Sequence, residues 1–228
     1  MNVRHVFCLR LLRRRMVPVV LPVAVASLLV ACAEEREPYP DIITEMADIH
    51  TDHTGRLCDM LTDDGRHYAI SNTNIVLHRP DTVYRAVVGF VPEPATAYSS
   101  PLSARIYALT PAQVLADSTA VVRHDPTGIE SMWVEGSYIN MQLTAKSQGG
   151  IHRWGYAVDS RVMAGIDGRR SARHYLSVHH VQGTDPQSYS TTWYCSIAVP
   201  AIPQYQAGDT VTVTVHTFTG AKSWTFLP

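Results

Sequence analysis

The stretch TVTVTVHTF at residues 210–218 shows the pattern that decides the fold of this chain. Val211, Val213 and Val215 alternate with polar residues, and a period of two with one apolar face is typical of a half-buried strand in an antiparallel sheet. The stretch YINMQL at residues 138–143 repeats the pattern. We therefore predict an all-β protein.

Turn-rich segments between such stretches predict hairpins. They are DDG at 63–65, GTDP at 183–186 and TGAK at 219–222. Gly, Asp and Pro favour the tight backbone reversals that join neighbouring antiparallel strands. We expect about five strands in residues 43–109 and about seven in residues 127–228.

A helix signal separates the two groups of strands. Thr110 can cap a helix, Pro111 suits its first turn, and Gln113 can complete a capping box. We expect this short helix to end near Asp117, before the polar segment DPTG at residues 125–128.

The resulting architecture is a small five-stranded OB-like barrel, open or closed, followed by an antiparallel β-sandwich. The barrel occupies residues 43–109, the helix and linker residues 110–126, and the sandwich residues 127–228. The barrel has only about 65 residues, and a domain this small buries a modest fraction of its surface. We therefore expect it to pack against the sandwich for stability.

The first 32 residues predict a lipoprotein signal peptide, residues 1–31, followed by a lipidated Cys32. An arginine cluster precedes an apolar stretch at 17–31, and the segment ends in LVAC. The apolar stretch is shorter than the roughly 20 residues that cross a membrane. Acyl chains on Cys32 would anchor the protein in the membrane. A plain secretory signal and a tilted membrane span remain as alternatives.

Residues 32–42 predict an acidic tether. Ala33 follows the cysteine, which favours sorting to the outer membrane, and Glu34, Glu35 and Glu37 come next. The acidic run is consistent with export to the cell surface and also with a solvated tether that faces the periplasm. Both orientations remain open.

The charge and the cysteines narrow the class of protein. Five of the 19 basic residues and none of the 20 acidic ones lie in residues 1–31. The mature chain therefore has 14 basic and 20 acidic residues and a formal charge of −6. We therefore expect no nucleic-acid partner. Cys58 and Cys195 fall in different predicted domains, so we expect small buried side chains rather than a disulfide.

Two segments resemble NigD-like lipoproteins: LTDDG at 61–65 and IESMWVEGSYIN at 129–140. The resemblance covers nearly the whole mature chain. It implies the OB-like barrel, the sandwich and the envelope location, and it brings no catalytic residue. A basic loop with Arg169, Arg170 and Arg173 departs from the family pattern.

The usual enzyme motifs do not occur in the sequence: there is no G-x-S-x-G elbow, H-E-x-x-H pair or phosphate-binding glycine loop. We predict a protein that is not an enzyme and has no cofactor. Asp48, His50 and Asp52 would share one face of a strand and could coordinate a metal ion. The alternative is that they form the solvated face of an edge strand. His152, His174 and His216 could converge across the sandwich, but strand alternation alone does not determine whether they do.

Aromatic residues in the second domain suggest a binding role. Tyr138 and Tyr194 oppose the apolar faces of their strands, so they could form a contact patch for a protein or glycan ligand, while Trp193 shares the buried face of Cys195. We predict a non-enzymatic, outer-membrane-anchored lipoprotein that acts by binding or shielding, with a bacteriocin-related role as a narrower version. An envelope hydrolase acting on glycan or peptide is the alternative.

Overall fold

Alternating apolar and polar residues build thirteen strands in the part of the chain that the structure describes. The computed structural model describes residues 41–71, 74–92, 102–111, 114–115, 122–166 and 169–228. The strands are β1 (Ile43–Thr51), β2 (Leu57–Thr62), β3 (His67–Ala69), β4 (Val83–Phe90), β5 (Ala104–Leu109), β6 (Val114–Leu115), β7 (Gly128–Glu135), β8 (Tyr138–Ser147), β9 (Arg153–Ile166), β10 (Arg169–Val181), β11 (Tyr189–Ala198), β12 (Thr210–Thr217) and β13 (Gly220–Phe226).

The first five strands form one antiparallel sheet in the order β3-β2-β1-β4-β5. Ala47 and Ile49 of β1 and Ala86, Val88 and Phe90 of β4 point to one face and form the centre of its core. A single parallel bridge between Ile70 and Leu102 connects the two edges. One bridge is not a continuous ladder, so this sheet is not a closed barrel.

The remaining strands form two sheets, β13-β12-β10-β9-β6 and β11-β8-β7. One core lies between them and takes apolar residues from both: Ile139, Met141, Leu143, Cys195 and Ile197 from the smaller sheet, and Trp154, Tyr156, Leu176, Val178, Val211, Val213 and Val215 from the larger one. The sequence pattern identifies these strands correctly. The larger sheet is nevertheless mixed, because β10 pairs with β12 and β6 pairs with β9 in parallel.

Two of the three predicted hairpins are confirmed. The turn at 63–65 joins β2 to β3, and β12 pairs with β13 around the turn that ends at Gly220. The hairpin at 183–186 is wrong, because β10 and β11 belong to different sheets. Turn residues specify a reversal of the chain, but they do not specify which strand the chain pairs with afterwards.

The predicted helix at 110–117 is also wrong where its residues are described. Val114–Leu115 is a short strand that pairs with Gly155 and Tyr156 of β9, and the Thr110 hydroxyl donates to the carbonyl oxygen of Arg85. A capping signal is worth about 1 kcal/mol, so pairing with the edge of a sheet can override it. Residues 112, 113, 116 and 117 lie outside the described ranges.

Residues 41–228 form one compact unit. Within the described ranges, no helix is long and apolar enough to cross a membrane. Cys195 is fully buried in the core of the second and third sheets, whereas Cys58 is half-buried and its Sγ donates to the carbonyl oxygen of His50. No disulfide joins the two. The signal peptide, Cys32 and the glutamates of the tether lie outside the described residues.

Candidate functional site

The three residues named as candidate metal ligands take separate roles. The Nδ1 of His50 lies 2.7 Å from Oδ1 of Asp59 on the neighbouring strand. Asp52 accepts hydrogen bonds from the backbone and the hydroxyl of Thr54, which closes the turn after β1. Asp48 belongs to a different cluster, described next. Among the described residues, no three His, Cys, Asp or Glu side chains come together as a metal site.

A buried polar cluster connects the first sheet to the outer face of the β11-β8-β7 sheet. We call it the polar joint; its members are Asp48, Asp63, Arg85, Tyr138, Asn140 and Ser196. The Arg85 guanidinium makes a bidentate pair with Asp63 at 2.6 and 2.5 Å. Asn140 donates to Asp63 at 3.1 Å and accepts from Ser196 at 2.7 Å. The Arg85 and Asp63 side chains are only 8% and 5% exposed.

The polar joint includes one of the two candidate ligand-binding tyrosines. The Tyr138 hydroxyl donates to Asp48 at 2.8 Å, and the Arg85 guanidinium lies 3.9 Å from the ring centroid. Burial, together with the hydrogen bond to Asp48, raises the pKa of Tyr138 to about 12. The structure thus places Tyr138 between the two parts of the chain. Tyr194 is half-buried, on the outward face of β11, opposite Gln142.

The two segments that resemble NigD-like lipoproteins meet at this joint. Gly136, in the turn between β7 and β8, has a φ of 56°. A Cβ at this position would lie 2.7 Å from the carbonyl oxygen of Asp63. Only glycine lets the two backbones approach so closely. The resemblance therefore rests on residues that contact each other in three dimensions.

A second buried network lies at the opposite end of β8. Asp185, which follows β10, accepts hydrogen bonds from the hydroxyl of Ser147 at 2.5 Å and from the backbone N–H of Gln148 at 3.1 Å. Its Oδ2 also lies 3.0 Å from Nε2 of His152. The hydrogen bond from Ser147, followed by those from Gln148 and His152, lowers the pKa of Asp185. An ionised Asp185 thus ties the β8–β9 loop to the β10–β11 loop.

The network continues inward through two neighbouring histidines, His152 and His180, whose ring centroids are 5.0 Å apart. His180 Nδ1 lies 2.8 Å from the carbonyl oxygen of Asp125, so this nitrogen must carry a proton. His152 Nδ1 lies 2.9 Å from His180 Nε2, while His152 Nε2 faces Asp185. All three contacts are hydrogen bonds only if the two rings together carry three protons.

The surroundings determine which of the two rings is neutral. Burial lowers the pKa of His180, and His152 acts on it in the same direction. Trp154 covers the His180 ring, with 4.1 Å between the centroids, and Trp193 stacks on His152 at 5.3 Å. His180 is therefore the neutral Nδ1–H tautomer, whose Nε2 accepts the hydrogen bond from Nδ1 of His152.

Large exposed side chains lie on the two chain segments that this network joins. We call residues 148–153 and 182–189 the loop surface. The side chain of Ile151 is 88% exposed and that of Tyr189 is 75% exposed. A cleft of about 650 Å³ runs between the two loops and is lined by Arg153, Thr184 and Pro186 among others. This part of the surface thus carries two large exposed side chains and a cleft.

The geometry of the network does not match a nucleophile with its base. The Ser147 hydroxyl donates to Asp185 and forms no hydrogen bond with His152. Both ring nitrogens of His152 are engaged by other groups. A catalytic serine needs a free histidine nitrogen within hydrogen-bonding distance. The network can hold loops in place, and at this position it lacks the contact that an acyl transfer requires.

The other histidines named from the sequence do not converge on it. His174 donates to Asp209 at 2.9 Å, and Asp209 also accepts the backbone N–H of Ala172 at 2.6 Å. His216 stacks on His124 with a centroid distance of 4.1 Å. His152, His174 and His216 therefore lie in three separate environments. His179 and His180 are neighbours on β10 and point to opposite faces, and of the two only His180 is buried.

Comparison with known proteins identifies the fold. No family model and no curated protein matches the sequence. Three solved structures are similar over most of their length. They are a NigD-like immunity protein from Bacteroides caccae ATCC 43185 (20% identity, 83% of this chain and 99% of that one, TM-score 0.57), a protein inferred to be toxin-related from Parabacteroides distasonis ATCC 8503 (17%, 82% and 92%, 0.60) and an inferred lipoprotein from Bacteroides fragilis NCTC 9343 (8%, 82% and 96%, 0.50).

At these identities the likeness concerns the fold alone, and it agrees with the resemblance noted in the sequence. The chain shares its fold with a NigD-like immunity protein.

Proposed function

We propose that the mature chain is a non-enzymatic lipoprotein, anchored in the outer membrane through Cys32, that binds a protein or glycan partner through the loop surface. The single observation that carries the proposal is the exposure of Ile151, in the β8–β9 loop, and Tyr189, at the start of β11, beside segments that Asp185 joins. Rigid, exposed apolar and aromatic residues lose little entropy when a partner covers them.

The position of the loop surface supports this assignment. Binding residues concentrate on loops that a rigid scaffold presents. Here, the side chains of Ser147 at the end of β8, His152 in the loop that follows and Asp185 in the other loop are buried. Gly150 approaches Asp185 so closely that a Cβ would lie 2.6 Å from its side chain. The surface is thus preorganised. The entropy cost of ordering the two loops arises when the chain folds and not when it binds a partner.

We also propose that residues 43–109 form an OB-like unit and residues 127–228 a β-sandwich. The strand order β3-β2-β1-β4-β5 and the parallel bridge between Ile70 and Leu102 support the first assignment. The core shared by two facing sheets supports the second.

A bacteriocin-related role is a narrower form of the same proposal. Its support is that two proteins of the same fold are described as an immunity protein and as toxin-related. In this form, the partner at the loop surface is a protein toxin. The hydrolase alternative has less support, because Ser147 donates to Asp185 and not to His152.

Affinity purification tests the proposal. The tagged protein would be extracted in detergent from the envelope of the cells that make it, in three versions: wild type, Ile151→Asp with Tyr189→Ser, and the control Arg56→Gln with Arg105→Gln on the exposed surface of the first sheet. We expect one partner to be retained by the wild type and the control and lost from the Ile151/Tyr189 variant. Equal retention by all three would refute the assignment of the loop surface.

The anchor has its own test. Labelling with a radioactive fatty acid should mark the wild type and not Cys32→Ala. Protease added to intact cells would then decide between the two orientations, since only a surface-exposed chain is degraded.

A further inference from the structure

Strand β11 lies at the edge of its sheet and lacks the features that usually protect an edge. It pairs with β8 on one side only. Its sequence, YSTTWYCSIA, contains no charged residue and no proline, and its ten pairs with β8 run without a shift in register. Proteins commonly protect exposed edges with charges, prolines or bulges, because unpaired backbone groups attract other strands.

The other edge strands of the three described sheets are protected. β13 has Lys222 at its centre. β5 contains Arg105, β7 contains Glu130 and Glu135, and the pairing of each has a shift in register. β3 and β6 have only three and two residues. An unprotected edge in a chain that protects its other edges indicates an edge that a further strand covers when the protein acts.

The first half of β11 is open to solvent. Its first four residues, 189–192, are all exposed. In a strand that has one face on a core, every second residue is buried, so both faces of β11 are accessible here. No backbone hydrogen bond connects Ser190, Thr192 or Tyr194 to a described segment outside the sheet.

The register with β8 determines which backbone groups point outward. The N–H of Val199 donates to the carbonyl oxygen of Ser137 at 2.9 Å, and these two residues continue the register of the ladder. Hydrogen-bonded positions alternate along an antiparallel pair. Odd-numbered residues of β11 therefore bond to β8, and even-numbered residues direct their N–H and C=O groups away from it. We call the outward-pointing groups of Ser190, Thr192 and Tyr194 the free edge.

The free edge is continuous with the loop surface, because Tyr189 directly precedes Ser190. Its donors and acceptors repeat every second residue, at about 7 Å. The backbone of an extended polypeptide has the same spacing, and strand addition of this kind obtains its affinity from main-chain hydrogen bonds. The hydroxyl groups of a glycan have no such repeat.

We propose that the partner at the loop surface is a protein that adds an extended segment as a strand to the free edge. The proposal rests on the proposed function and narrows its partner to a polypeptide. A ladder of three residues is small compared with the roughly 20 residues that each side of a stable interface contributes. The partner must therefore also contact Tyr189 and Ile151. A second copy paired antiparallel about Thr192 would place its own Tyr189 at the level of residue 195, away from the loop surface.

Proline at position 192 tests the proposal in living cells. Thr192→Pro removes an outward N–H, which an edge strand tolerates, whereas Thr191→Pro removes a bond to β8 and should lower the midpoint of urea unfolding. With a photoreactive phenylalanine at position 189, we expect the adduct with the partner to fall about fivefold or more in Thr192→Pro, the affinity that one backbone hydrogen bond contributes. Thr192→Ala keeps the N–H and should retain the adduct.

The outcomes separate this proposal from the one it rests on. Equal adduct in the wild type and in a folded Thr192→Pro variant would overturn strand addition and leave the loop surface as the binding site. If the wild type forms no adduct from position 151 or 189, the loop surface itself is refuted.

A defined peptide tests the free edge without the partner. The probe is the peptide KTVTVTK with blocked ends, added to the chain from residue 33 onward, which includes the compact unit 41–228. The measurement is amide hydrogen exchange by NMR. At ten times the dissociation constant of the peptide, exchange at Ser190 and Thr192 should slow about tenfold, because the bound fraction sets the protection.

The matched control is the same peptide N-methylated at every residue of its TVTVT core, which cannot pair on either edge and should give no protection. Absence of protection by KTVTVTK, or equal protection by the methylated peptide, would overturn the proposal. Protection without peptide that grows with protein concentration would assign the free edge to a second copy, and this result would overturn it as well.

Discussion

At the scale of single residues, Asp185 joins the two segments of the loop surface. It accepts hydrogen bonds from Ser147, Gln148 and His152, so one carboxylate fixes both loops. The sequence did not reveal this role, because Asp185 stands in a segment read only as a turn. Alternation along a strand assigns residues to faces, but it does not assign their partners.

Replacing Asp185 with Asn should loosen the loop surface while the fold is retained. The amide removes the charge that His152 faces and presents a donor where acceptors are needed. We expect faster amide hydrogen exchange in residues 148–152 and 183–188 and unchanged exchange in β12. Asp159→Asn is the matched control, because the described partner of that carboxylate is a single serine hydroxyl. Unchanged exchange in both loops would show that Asp185 does not hold them.

The same carboxylate makes stability depend on pH. Hydrogen bonds, first from Ser147, lower the pKa of Asp185, and a hydrogen bond from the backbone of Gln182 lowers that of Asp125. Unfolded aspartates titrate near about 3.9, so below about pH 5 the unfolded chain binds more protons than the folded one. Stability is therefore fully present at neutral pH and is lost as the pH falls. Urea unfolding at pH 7, 5 and 4 should show this decline, and it should be smaller in Asp185→Asn.

At the scale of elements, the sequence predicted the positions of the strands better than it predicted how the strands pair. Residues 138–143 and 210–217 form strands as predicted, because their alternation fits one buried face. The pairing of β10 with β12 in parallel has no local signal, and neither has the separation of β10 from β11. Pairing depends on contacts between distant residues, which a single sequence does not contain.

The segment before β7 should stabilise the second and third sheets. Asp125 accepts hydrogen bonds from His180 and from the backbone of Gln182, and β6 pairs with the start of β9. A fragment of residues 127–228 contains every strand of the two sheets except β6 but lacks these contacts. We expect it to fold with a lower midpoint of urea unfolding than a fragment of residues 110–228. Equal midpoints would mean that the linker contributes nothing.

At the scale of the whole molecule, the polar joint explains why residues 41–228 form one unit. A first domain that leans on the second was expected from its size, but the residues that connect the two were not. Asp63 was assigned only to a turn, and Tyr138 to a ligand patch. The sequence does not contain the contact that connects them: the turn after β2 packs against the turn after β7.

Replacing Arg85 with Met should destabilise the whole unit. It leaves Asp63 and Asp48 buried without a cation, and breaking such a pair costs about 3–5 kcal/mol. Arg105→Met on the exposed face of β5 should change the free energy of unfolding by less than about 0.5 kcal/mol. Equilibrium unfolding in urea measures both. A loss of under about 1 kcal/mol in Arg85→Met would show that the joint is not what unites the two parts.

The central claim, that the partner binds the loop surface, is tested most directly by photo-crosslinking in living cells. A photoreactive phenylalanine would replace Ile151, Tyr189, Arg105 or Lys222, one at a time, in the full-length chain. These positions sample the loop surface, the first sheet and the exposed edge strand β13. We predict one common adduct from positions 151 and 189 and none of that mass from 105 or 222. An adduct formed from 105 or 222 but not from 151 and 189 would contradict the account.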